Sequence, residues 1–222
     1  MTTRKAYDQD LVRLNDTLIE MGRLSQTALA DTIYMFASGK TEQTNTVAEA
    51  NASLNKLERD VEHQCMILLL RQQPVATDLR KVSTALKVVA DISRIGDFAE
   101  DIADILAAMK GARLSGQALN NSVLDMAEHA SNMVMNAISA FSDLDVNMAE
   151  EVVRYDDVVD REFTAIKETL TTAIATAPEM ADCALDYLMI IKYLERLGDH
   201  AVNIAEWVRF CVTGIHKSSK IV

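Results

Sequence analysis

The scarcity of chain-breaking residues constrains this sequence more than any other feature. Among 222 residues there are seven glycines and two prolines, about 4% against a usual figure of about 12%. Turns and strand ends consume Gly and Pro, so such a chain can reverse direction only a few times. A β-sandwich or a doubly wound α/β sheet needs many more reversals. Ala, Leu, Met and Glu, all strong helix formers, are abundant. The expectation is an all-α chain of few, long helices.

The breakers also say where those helices stop. Gly39 closes a periodic run that begins near residue 5, and Pro74 interrupts a second that begins near Thr41. A third spans about Ala76 to Gly111, Ser115-Gly116 opens a fourth that ends near Ser142-Asp143, and a fifth runs from about Asp145 to Ala175. Thr176-Ala-Pro-Glu179 has the spacing of a capping box for the sixth, and Gly214 ends it as a left-handed cap residue. Six helices of roughly 30 residues result, each about 45 Å long. The tail from His216 to Val222 is expected to fray.

These helices fall into two sets of three. A shift of 102 residues lays Arg94-Ile-Gly-Asp-Phe-Ala-Glu-Asp-Ile-Ala103 on Arg196-Leu-Gly-Asp-His-Ala-Val-Asn-Ile-Ala205, with six of ten positions identical. The same shift lays Asn55, Glu58 and Asp60 on Asp157, Asp160 and Glu162 in the preceding helix. One offset shared by two helices marks a duplicated three-helix unit. The sequence thus predicts two tandem pseudo-symmetric three-helix bundles, over residues 1–111 and 112–222, each burying its own apolar stripe.

Composition narrows the function. Apolar residues make up 49% of the chain, enough for a real core. The net charge of -11 repels nucleic acid phosphates and anionic lipid headgroups but attracts cations. The longest apolar run, Cys65 to Leu70, is far short of a membrane span. The first residues have no apolar h-region, so no secretory leader is expected. Cys65, Cys183 and Cys211 are odd in number and widely spaced, which fits reduced thiols in the cytosol.

One pattern suggests chemistry. At about 100° per residue, Glu195, Asp199, Asn203 and Glu206 share an arc of about 80° on helix six. Ser93, Asp97, Asp101 and Asp104 repeat it on helix three. Like charges at i,i+4 destabilise a helix; a cation would reverse that sign. Hard oxygen donors without a nearby thiol suit Mg²⁺, Mn²⁺, Ca²⁺ or iron. A solvated helix face is the plainer reading, since Ile92, Ile95, Ala99, Ile102 and Leu106 lie on the side opposite Asp97 and Asp101. Against it, the line occurs twice at one offset. Each copy also holds a glycine beside its Asp (Gly96, Gly198), at a cost of about 1 kcal/mol relative to Ala.

Other readings are weaker. A di-metal carboxylate oxidase requires inward Glu-x-x-His motifs, and the residues three before the four histidines are Asp60, Met126, Leu197 and Thr213. His200 reads as solvated or capping rather than metal-bound, because Phe98 stands at its place in the first repeat. Arg71, Arg80 and Lys81 beside Pro74 could hold an anion, but more simply serve helix ends or solvent. No Gly-rich phosphate loop, Ser/His/Asp triad or Cys/His pair is present.

Arg71-Gln-Gln-Pro-Val-Ala-Thr-Asp-Leu-Arg80 and Glu195-Arg-Leu-Gly-Asp-His-Ala-Val-Asn-Ile-Ala-Glu206, set in a duplicated three-helix unit, resemble the joint and the helix-six signature of the PhoU family. The resemblance covers about residues 5 to 213. It implies a non-enzymatic, cytoplasmic, homodimeric adaptor. Such an adaptor stands between the ATPase of a phosphate ABC transporter and a sensor histidine kinase and represses phosphate uptake and starvation signalling. It also implies surface clusters of iron, zinc or other cations on Glu/Asp-x-x-x-Asp motifs. Carried over, these are Glu195 and Asp199 with Asp157 and Asp160 in the second repeat, and Asp97 with Asn55 and Glu58 in the first. Asp101 and its counterpart Asn203 complete the candidate set. Ser93 stands where the family usually has Glu, and Asn55 is neutral, so the first site is expected to bind metal more weakly. A metal-storing or metal-sensing helical protein and a purely structural bundle remain alternatives.

Overall fold

The computed structural model describes residues 3–72, 74, 77–216 and 219–220. The six expected helices are present: α1 (Thr3–Ser38), α2 (Thr44–Gln72), α3 (Thr77–Ala108), α4 (Gln117–Asp143), α5 (Val146–Thr176) and α6 (Ala181–Thr213). Their ends follow ordinary chemistry. Gly39 and Gly214 adopt φ 71° and 77° just past α1 and α6, where a residue with a Cβ is strained. The Asp145 carboxylate caps α5 by accepting the backbone N–H groups of Asn147 (2.9 Å) and Met148 (3.1 Å).

Two local expectations fail. Thr176 does not open α6: it is the last residue of α5, and its hydroxyl donates back to Thr172 O at 3.0 Å. A 3-10 turn over Pro178–Met180 then leads into α6, whose first turn has no side-chain cap. The hydroxyl finds a carbonyl one turn back in its own helix, which competes with capping the next. The tail also departs from simple fraying, since Ile215 pairs with Lys220 and His216 with Ser219 in a short antiparallel ladder. The remaining tail residues, together with Val75, Ala76 and the side chain of Arg71, lie outside the described residues.

Helices α1, α2 and α3 pack on one another, as do α4, α5 and α6. Among the described residues, the two triplets meet through α3 against α6 and α1 against α4, while α2 and α5 touch only helices of their own triplet. Buried side chains from both triplets form one continuous core. Gly22 acquires a role at the α1/α4 contact: a Cβ there would lie 2.6 Å from Ile138 Cγ2, so glycine permits the close approach. Arg80 serves a helix end, its Nε donating to the Cys211 carbonyl in the last turn of α6 at 3.2 Å. Cys65, Cys183 and Cys211 are free thiols, and burial pushes Cys65 up to about 12, which makes that thiol a poor nucleophile.

The α3/α6 junction reproduces the sequence repeat. The Phe98 and Tyr193 rings lie 5.5 Å apart, and His200 Nδ1 lies 2.7 Å from Asp91 Oδ1. The 102-residue shift turns the first pair into the second, so the two contacts are equivalent under a pseudo-twofold relation.

Candidate functional site

Gly96 and Gly198 sit mid-helix and buried in α3 and α6. Each lets an outer helix approach where a side chain would intrude, and what arrives differs. Over Gly96 it is Leu54 and Asn51 of α2, whose Cδ1 and Oδ1 would lie 2.5 and 2.7 Å from an added Cβ. Over Gly198 it is Asp156 of α5, with Oδ1 at 3.1 Å. The repeat shift lays Leu54 on Asp156, so a leucine in one triplet faces a carboxylate in the other.

On the α2/α3 face the carboxylates have donors, while Asn51 Oδ1 is buried without a partner. Ser93, only 3% exposed, places its hydroxyl 3.1 Å from Asn55 Oδ1 and 2.8 Å from Glu58 Oε2 and donates to these acceptors. The Asn51 amide donates to Asp97 Oδ1 at 3.1 Å and to Glu100 Oε2 at 2.5 Å. The Arg94 guanidinium donates to Asp97 Oδ2 at 2.9 Å. Asp97 thus has a donor on each oxygen.

The α5/α6 face gathers like charge. Burial first, then the carboxylates of Asp160, Asp199, Asp157 and Glu195, push Asp156 up to about 6. Asp199 is raised too, by burial, then by Glu195 and Asp160, with Lys192 and His200 opposing. Glu195 accepts from Lys192 Nζ. Five carboxylates therefore share one face, with Lys192 and His200 close by and Arg161 beside Asp157 and Asp160.

Asp157, Asp160, Glu195 and Asp199, singled out from the sequence, lie around Asp156, which sequence reasoning did not single out. The signal was present: Asp156-x-x-x-Asp160 has the same i,i+4 spacing as Glu195-x-x-x-Asp199. The line of oxygens on each inner helix also proves to be split. Ser93, Asp97, Glu195 and Asp199 lie on the side of the outer helix of their own triplet, with Asp199 exposed. Asp101 instead lies close enough to Tyr193 of α6 to add to the burial that raises that hydroxyl, and Asn203 donates to Asp91 of α3 at 3.4 Å, so both face the opposite triplet. Glu206 is 8% exposed and accepts from Arg209 Nη1 at 2.8 Å. His200 is neither solvated nor a cap, because Asp91 engages it across the junction. A single helix's phase cannot reveal such cross-helix partners.

The oxygen donors of the α5/α6 face are of the type that suits a hard cation, and burial, followed by the neighbouring carboxylates, raises Asp156. Among the described residues, no group of three or more His, Cys, Asp or Glu side chains is set to hold a metal ion as it stands. Binding would require the exposed Asp157, Asp160 and Asp199 side chains to rotate inward.

A duplicated three-helix bundle with a carboxylate face on an inner–outer helix pair defines a class of two-repeat helical proteins; no described helix is long and apolar enough to cross a membrane. Comparison places the chain within that class. The PhoU domain model matches twice, over residues 18–106 and 123–208, and the chain belongs to the PhoU family. Relatives named phosphate-specific transport system accessory protein PhoU homolog are 32% identical in a Burkholderia species (94% of this chain, 89% of the relative) and in a Synechocystis species (95% and 93%). The crystal structure of PhoU from Pseudomonas aeruginosa superposes with a TM-score of 0.91 at 30% identity, covering 94% of this chain and all of that one. That of the phosphate transport system regulatory protein PhoU from Streptococcus pneumoniae, 23% identical, shares the fold with a TM-score of 0.86.

Proposed function

We propose that this chain is a non-enzymatic accessory of a phosphate transport system. It acts in the cytoplasm as a homodimer and conveys the phosphate-replete state between the transporter's ATPase and a sensor histidine kinase, restraining uptake and starvation signalling. The observation that carries the reading is the family match over both repeats, together with relatives that are named as transport-system accessories along nearly their whole length. Pull-down of the full chain from phosphate-replete cells tests it. Co-purification of the phosphate transporter ATPase or a histidine kinase is the expected result, and repeated absence of both overturns the adaptor role. Light scattering of the pure protein reads the dimer.

Within this role, the α5/α6 face is a cation site. Asp156, Asp157, Asp160, Glu195 and Asp199 would hold the ion, iron or zinc first and magnesium, manganese or calcium as alternatives. When bound, the ion supplies charge neutralisation and a cross-link between α5 and α6. The chain's residues hold the oxygen donors on two helices whose separation Gly198 sets. The α2/α3 face, with Asp97, Asn55 and Glu58, is the weaker site of the two, because its acceptors already have donors.

A further inference from the structure

We propose that the end of the bundle where α1, α3, α4 and α6 meet holds a binding site for a small single-ring phenol. The inference is independent of the cation-site reading above.

A cavity of about 350 Å³ opens there between the two triplets. Its floor is apolar: Leu14 and Leu18 of α1, Ala85 of α3, Phe141 of α4 and Cys211 of α6 line it, each less than a tenth exposed. Asn15 is half-buried in its wall, and the exposed Asp8 and Lys81 stand at its mouth. An apolar cavity of roughly 150 Å³ already holds a benzene ring, so this one has room for a ring and a short substituent.

The repeat shows what belongs in such a space. Helices α1 and α4 correspond at a shift of 105 residues, which lays Leu14, Asn15 and Phe36 on the identical residues Leu119, Asn120 and Phe141. Together with the 102-residue shift of α3 onto α6, it carries the cavity to the opposite end of the bundle. There only about 10 Å³ is left open. Tyr187, the counterpart of Ala85, fills the space: its ring stands edge-on to Phe36 with centroids 5.6 Å apart, and its hydroxyl donates to Asn120 Oδ1. The Arg113 guanidinium covers the Phe36 ring at 5.0 Å.

The open end keeps the same asparagine and the same phenylalanine, Asn15 and Phe141. It has the methyl group of Ala85 where the phenol would stand, and Asp8 at the place of Arg113. The filled end therefore defines the occupant of the open one: a ring against Phe141, with a hydroxyl that donates to Asn15. Such a molecule buries its ring on the apolar floor and satisfies its one polar group on the wall. Because α1 and α3 belong to one triplet and α4 and α6 to the other, the occupant bridges both halves.

NMR titration of the full-length protein with p-cresol, the tyrosine side chain as a free molecule, and with toluene, the same shape without the hydroxyl, tests this. Wild type is expected to bind p-cresol saturably with a Kd tighter than about 5 mM, and about fivefold more tightly than toluene, the worth of one hydrogen bond. Ala85→Tyr, which supplies the missing ring from the chain itself, is expected to melt at a higher temperature and to bind p-cresol at least tenfold more weakly. Asn15→Leu is expected to bind the two compounds equally, and it decides the matter whether or not Ala85→Tyr folds. A wild-type Kd for p-cresol weaker than about 5 mM, equal affinity of wild type for toluene, undiminished binding in Ala85→Tyr, or a p-cresol preference that survives Asn15→Leu overturns the assignment.

Discussion

The α2/α3 and α5/α6 faces share one sequence pattern and one glycine-assisted approach, yet they settle their charge in opposite ways. On the first, a buried serine, an asparagine and an arginine give donors to Glu58 and to both oxygens of Asp97. On the second, carboxylates face carboxylates, and Asp156 is held back from ionising until about pH 6. Substitutions at a few equivalent positions account for the difference: Leu54 against Asp156, Asn55 against Asp157, Ser93 against Glu195. A line of acidic residues on one helix therefore says little by itself. The helix packed against it decides whether the line becomes a hydrogen-bonded polar seam or a face of crowded carboxylates.

The contrast can be broken most directly by cation affinity. Asp199→Asn is expected to weaken Mn²⁺ binding about 100-fold, some 2.7 kcal/mol, while Asp97→Asn changes it less than twofold, both read by calorimetry. A larger loss from Asp97→Asn would reverse the ranking of the two faces. Packing gives the next effect. Gly96→Ala drives a Cβ to 2.5 Å from Leu54 Cδ1 and 2.7 Å from Asn51 Oδ1. Overpacking exceeds the gain in helix propensity, for a net loss of about 1–2 kcal/mol in urea unfolding. Gly198→Ala meets Asp156 Oδ1 only at 3.1 Å and is expected to be near neutral; equal losses at the two glycines would erase the distinction between a filled and an open approach.

The smallest effect is one of pH. The folded pKa of Asp156, about 6, lies above its unfolded value near 4, so the folded protein holds that proton more tightly. The stability this contributes is fully present below about pH 4 and is lost as pH rises through about 6. Because the group is only about half buried, solvent screening reduces the effect to about 1 kcal/mol. Asp156→Asn is therefore expected to raise the melting temperature of cation-free protein at pH 7.5 and to flatten its fall between pH 4 and 6. An unchanged slope in melting temperature against pH would mean that the crowded carboxylates are already screened.

Much of this architecture was legible in the sequence because it is written in local terms. Gly39, Pro74, Gly111, Gly116, Pro178 and Gly214 punctuate the helices, and the observed ends fall within a few residues of them. The repeat exposed the paired glycines and most of the second acid face. The misses are non-local or competitive. Asp91 and His200 meet across 109 residues of chain, and nothing near either residue announces the other. Leu144 ends α4 with φ 52°, a conformation rare for leucine and invisible to any rule that seeks glycine there. Thr176 had the capping pattern but spent its hydroxyl on the helix behind it. Asp156 escaped because its counterpart is a leucine, and the repeat alignment rewarded likeness.

The isolation of α2 and α5, each touching only its own triplet, bears on how a duplicated protein can diversify. The leucine-for-aspartate difference between Leu54 and Asp156 lies on helices that do not enter the α3/α6 junction that joins the halves. That insulation lets the two outer helices diverge from each other while the shared inner pair preserves the assembly.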